Sequence, residues 1–175
     1  HAVLARAIDP WEGLFLAKHH DLPSRLLDWT SNPLVALFNA VEPNTHFDED
    51  GAVWLMKRRR NTANEIDVLE DARDPLDIPG VRIIYPTYVS PRMIVQSGFF
   101  TLHAYPWHDL RELDSSIYSK VDLDIVRVKK LVVRQRHKMK LLDQLERAGI
   151  NTRTLFPDLD HLAKGLWQLE AIRKP

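Results

Sequence analysis

The chain has 175 residues, 45% of them apolar, and its 24 basic and 24 acidic residues cancel. That is enough apolar material for a packed core, which excludes wholesale disorder. The absence of cysteine excludes a disulfide scaffold, a thiolate zinc site and a cysteine nucleophile, and no apolar run approaches the roughly 18 residues of a membrane span.

In chain order, residues 1–20 read as a helix with Trp11, Leu14, Phe15, Leu16 and Ala17 as its apolar stripe. Asp9 is its cap and Pro10 its first turn. Asp21-Leu22-Pro23 breaks it, because proline disfavours a helical residue before it. Arg25 to Thr30 is too short for a helix and reads as extended. Asn32-Pro33 then restarts a helix whose Leu34-Val35-Ala36-Leu37-Phe38 has no polar face, the pattern of a buried central helix, and Pro43 ends it. Gly51 launches a strand through Met56; residues 58–80 form an irregular excursion with room for one short helix.

Val81 to Tyr85 and Phe99 to His103 read as strands, with a short helix or turn over Pro91 to Ser97 between them. A further strand lies within Val121 to Val133. Arg134 to Ala148 is amphipathic, with Met139, Leu142 and Leu145 on its inner face and Gly149 at the left-handed C-cap position. Asp158 caps a last helix with Leu159, Leu162, Ala163 and Leu166 inward. Helices and strands do not alternate regularly and there is no repeat or linker. The expected class is therefore α+β, with a small mixed or antiparallel sheet packed on the buried central helix, in one domain over residues 1–175.

Charge is segregated although the total is zero. Residues 65–77 are acidic, Lys57-Arg58-Arg59-Arg60 is a basic block, and Arg127 to Lys140 is a second basic stretch. A duplex-DNA binder would usually carry a net basic balance, so only these local blocks offer phosphate contacts for a nucleic-acid partner. The plain role of the second block is a solvated strand-and-helix surface. His103 and His108 match no compact metal spacing, so no metal site is assigned.

The densest polar chemistry lies between Lys18 and Asn32, which offers His19, His20, Asp21, Ser24, Arg25, Asp28, Thr30, Ser31 and Asn32 at the mouth of an apolar helix. The first amides of a helix lack intrahelical acceptors and carry the positive end of its dipole, which favours an anion such as phosphate. Thr30 and Ser31 supply hydroxyls, Arg25 a fork, and a histidine a group that titrates near neutrality. Equally, Asn32 serves as a plain cap and Arg25 pairs with Asp28 to hold a loop. If so, Arg25→Ala leaves the fold largely intact.

The run Lys-His-His-Asp-Leu-Pro-Ser-Arg-Leu-Leu-Asp-Trp-Thr-Ser-Asn-Pro from Lys18 to Pro33 resembles the signature of FRG-domain proteins. That signature is Gln-His-x-Gly-x-Pro-Thr-Arg-Leu-Leu-Asp-Trp-Thr-x-Asn-Pro, followed by an Ala-rich apolar helix. The likeness continues in Gly51-Ala52-Val53-Trp54, in Pro91-Arg92 through Gln96 to Thr101, and in Gly149-Ile150 with Leu155 to Asp160. Lys18, Asp21 and Ser24 depart from the family's Gln, Gly and Thr. The aromatic-Arg-Gly element that names the family is not among these residues, so the chain is expected to be a fragment of a longer protein.

The resemblance implies a domain, mostly of undetermined activity, found in bacterial and phage proteins. The order of its parts is similar to that of ADP-ribosyltransferases, which hold NAD. On that likeness His19, Arg25 and Gln96 take catalytic positions, and His20, Asp28, Thr30, Ser31, Asn32 and Arg92 contact the ligand. Gln96 offers an amide where a carboxylate would better stabilise positive charge, which points to binding without turnover. The expectation is a cytoplasmic nucleotide-binding or sensor domain, with a small anionic ligand or nucleotide as partner and no membrane. The alternatives are an ADP-ribosyltransferase-like enzyme using NAD and a nucleic-acid-binding or processing module.

Overall fold

The computed structural model describes residues 9–20, 22–43, 47–58, 66–67, 74–85, 91–104 and 125–156. Among the described residues, five α-helices and six strands in mixed order make the fold α+β. They are α1 (Pro10–His19), β1 (Leu26–Thr30), α2 (Pro33–Val41), β2 (Gly51–Arg58), β3 (Ile66–Asp67), β4 (Val81–Tyr85), α3 (Pro91–Gln96), β5 (Gly98–His103), β6 (Ile125–Val133), α4 (Lys138–Arg147) and α5 (Thr152–Leu155). They group into two compact units, each assembled from separated stretches of chain.

The first unit holds α1, β1 as far as Asp28, β3, β4 and β5 from Phe99 onward. Asp9 caps α1, its carboxylate accepting from the Trp11 amide at 2.9 Å and the Glu12 amide at 3.3 Å, with Pro10 in the first turn. The four-stranded sheet runs β1-β5-β4-β3. Strands β4 and β5 are antiparallel, with Val81 opposite His103 and Ile83 opposite Thr101, and β3 is parallel to β4. Val81, Ile83, Ile84, Phe100 and Leu102 are buried there with Trp11, Leu26 and Ile78. Phe15 of α1 meets Phe100 at 5.6 Å between ring centres, which ties the helix to the sheet.

The second unit holds α2, the start of β2, α3, the end of β6, α4 and α5. Its core joins Val35, Phe38 and Val41 of α2 to Leu142 and Leu145 of α4 and to Leu155 and Phe156. Gly51 opens β2 so close to the end of α2 that a Cβ there would lie 2.1 Å from the Ala40 carbonyl oxygen, so only glycine fits. Asp50, just before it, accepts from the Arg134 guanidinium at 2.7 Å and the Gln135 amide at 2.8 Å. Both bonds pull its carboxyl below the usual range, the Gln135 amide contributing most.

Two helix faces differ from the sequence expectation. α2 buries one face only: Leu34 stays 43% exposed beside exposed Pro33. In α4, Leu142 and Leu145 are buried as expected, but Met139 is exposed and Lys138 is buried in its place. A 3₁₀ turn over Gln135–His137 precedes the α-helix, and at 100° per residue Met139 falls roughly 90° round from the Lys138-Leu142-Leu145 face. The long methylene stem of Lys138 covers apolar surface, and its ammonium lies 5.5 Å from the centre of the Phe47 ring. At the other end Gly149 has φ 78°, with the Ile150 amide on the Leu145 carbonyl at 2.9 Å and the Gly149 amide on the Glu146 carbonyl at 3.0 Å. This is the complete Schellman pattern that the glycine signals. The last expected helix, after Asp158, lies outside the described residues.

Candidate functional site at the start of the second helix

The polar segment ahead of α2 divides between the two units. In the second unit, Asn32 caps α2: its side-chain oxygen accepts the Leu34 amide at 3.0 Å. Thr30 Oγ1 accepts the Asn32 amide at 3.0 Å and donates to the Gln96 carbonyl at 2.6 Å, across 66 positions of sequence. Ser31 donates its amide to the Ser97 carbonyl at 3.1 Å. The two stretches that the sequence nominates around Thr30 and Gln96 do meet, but through the main-chain carbonyl of Gln96. Its side-chain amide instead donates to the Leu155 carbonyl at 3.1 Å.

Ser97 is the participant that sequence reasoning missed. It adopts φ 49°, in the left-handed region, although glycine stands next to it at position 98. That turn aims the Ser97 carbonyl at Ser31. The signal was the Ser97-Gly98 pair after a short helix, with the positive φ one residue earlier than glycine suggests.

In the first unit Arg25 does not pair with Asp28. Its two terminal guanidinium nitrogens donate to the carbonyls of Ala104, at 2.7 Å, and of Pro75, and its buried Nε has no acceptor among the described residues. The Arg25 carbonyl accepts the His103 amide at 3.0 Å. Asp28 pairs with Lys18 at 2.5 Å and is 66% exposed. The expected Arg25–Asp28 pair does not form because Arg25, at the bend before β1, is engaged by the two carbonyls while Asp28 is taken by Lys18. Arg25 is thus a clamp on backbone carbonyls rather than the loop pair with Asp28, so its removal is expected to reach the fold.

His20 is exposed at the C-cap of α1. The side chains of His19 and Arg92 lie outside the described residues, as do Arg59 and Arg60 of the first basic block and His108. His103 is buried, its Nε2 2.9 Å from the hydroxyl of buried Thr101. Among the described residues no group of three His, Asp or Glu is placed to hold a metal ion, and no helix is long and apolar enough to cross a membrane.

The segment from α1 through the end of α2 coincides with a family match: residues 3–49 fit the FRG domain. The chain contains an FRG domain. The match takes in Asp28, Thr30, Ser31 and Asn32 and stops before Gly51, so the later likenesses around Gln96 and Gly149 lie beyond it. No curated protein and no solved structure matches the chain.

Proposed function

We propose that the FRG segment recognises a nucleotide or another phosphate ligand at the start of α2 and releases it unchanged, as a binding or sensor domain does. The observation that carries this reading is the character of that helix end. Ser31, Pro33 and Leu34 are exposed, and the first turn of the nine-residue helix holds no acidic residue to offset its dipole. Asn32 spends its oxygen on the cap, which leaves its amide nitrogen as a donor.

Binding is favoured over group transfer by how the other candidates are spent. The Thr30 hydroxyl and the Gln96 amide nitrogen are both committed to main-chain carbonyls, and an amide at Gln96 cannot supply the negative charge that a cationic ribose calls for. Arg25 is left out of the contact set because its terminal nitrogens hold Pro75 and Ala104.

Asn32→Asp tests the reading. Aspartate caps as well as asparagine and suits the dipole, so the melting temperature should hold or rise. The added charge should weaken ATP or NAD binding, measured by calorimetry, by about tenfold or more. Undiminished binding would move the ligand elsewhere, and release of nicotinamide from NAD would replace the binding reading with the transferase alternative.

A further inference from the structure

Strand β6 and the residues after it carry an unbalanced charge: from Lys129 to Lys140 there is no acidic residue. Within the second unit, Arg134 is neutralised by Asp50, and the Lys130 ammonium lies 5.5 Å from the centre of the Trp54 ring on the paired strand β2. Among the described residues Lys130 has no carboxylate partner; the face of the indole is what its charge meets. Trp54 itself is 38% exposed, on a strand where so large a ring would ordinarily be covered.

Side chains alternate along a strand, so Val132, 51% exposed, lies on the same face of β6 as Lys130. The next residue, Val133, turns the other way and packs against the core of Val35, Phe38 and Leu142. The ribbon therefore has one face seated on the core at this end. Its other face combines an open aromatic ring, an aliphatic side chain and a cation without a carboxylate.

We propose that this face of the β2–β6 ribbon, centred on Trp54 and Lys130, binds single-stranded nucleic acid. A base stacks on the Trp54 ring and Val132, and Lys130 swings from the ring to the adjacent phosphate. Charge alone would suit any polyanion; the aromatic platform selects one. A duplex keeps its base faces stacked within itself and offers Trp54 nothing to stack on, whereas a single strand presents a π-face at each base. The occupant is distinct from the mononucleotide assigned to the start of α2, and neither assignment needs the other.

The experiment is fluorescence anisotropy of the full chain with a labelled oligothymidylate and the matching duplex, over a range of salt. The single strand should bind more tightly, with affinity falling as salt rises. Lys130→Gln should reduce the slope of log K against log salt by about 0.7, the release expected for one phosphate of a single strand. Trp54→Leu, which keeps an apolar side chain at an exposed position, should weaken binding roughly 5- to 150-fold at an unchanged slope, and Trp54→Phe should restore much of the loss. A folding defect would not sort the two variants between slope and affinity, and circular dichroism checks each for folding. Absence of binding at low salt overturns the proposal. So does equal binding of duplex, a Trp54→Leu variant that binds like wild type, or capture by phosphatidylserine vesicles without capture by the oligonucleotide.

Discussion

Arg25 and Thr30 stand five positions apart in one polar segment, and both donate to main-chain carbonyls far along the chain. They differ in what stands behind the bonds. Arg25 is charged, grips the carbonyls of Pro75 and Ala104 in the first unit, and has a buried Nε with no acceptor among the described residues. Thr30 is neutral, and its hydroxyl is satisfied both as donor and as acceptor in the second unit. The contrast teaches that a polar side chain beside a helix start is read by its partners. A residue type suited to chemistry, such as Arg25, becomes a structural clamp once its donors are spent on backbone.

Arg25→Ala should give the largest effect. It removes two charge-assisted bonds and leaves two carbonyls to find water, a loss of about 2–4 kcal/mol measured by denaturant unfolding. Lysine should recover little, because a single ammonium cannot reproduce the fork that spans both carbonyls. An Arg25→Ala protein as stable as wild type would erase the distinction and return Arg25 to the candidate site.

Thr30→Val keeps the shape and deletes the hydroxyl, so it should cost about 1–2 kcal/mol, less than the loss of Arg25. A cost equal to that of Arg25→Ala would show that charge and burial are not what separates the two sites. The smallest effect is expected at Asp50, whose bonds to Arg134 and Gln135 are exposed. Its carboxyl is held below the ordinary value by those bonds, so it contributes stability that is fully present above about pH 4 and is lost as pH falls through the lower folded value. Asp50→Asn should therefore lose that small contribution at neutrality and flatten the acid limb, so that the two proteins converge in stability below about pH 4. A variant whose acid limb matches wild type would remove Asp50 from the account.

Much of the fold was legible because the signals are local. The Asp9-Pro10 and Asn32-Pro33 pairs mark helix starts, and Gly149 marks a helix end, since each cap closes within a few residues. The inward face of α4 was read one position out because Met139 and Leu145, six positions apart, lie roughly 120° apart round an α-helix, whereas Lys138, Leu142 and Leu145 share one face and a lysine carries no apolar signal. The candidate site was legible as a concentration of polar residues and illegible as a set of bonds. Arg25 and Asp28 looked like partners by proximity in sequence, but Arg25 is drawn to the carbonyls of Pro75 and Ala104 and Asp28 pairs with Lys18.

The amino-acid order by itself determined where α1 and α2 begin and where α4 stops, that β1, β2, β4 and β5 are strands, and that an FRG domain is present; β3 and α5 were not read from it. Only the tertiary structure decided what each polar side chain does. The acceptors of Arg25 lie 50 and 79 positions away and that of Thr30 lies 66 away, and a hydrogen bond depends on ångström-scale placement that strand pairing and core packing create.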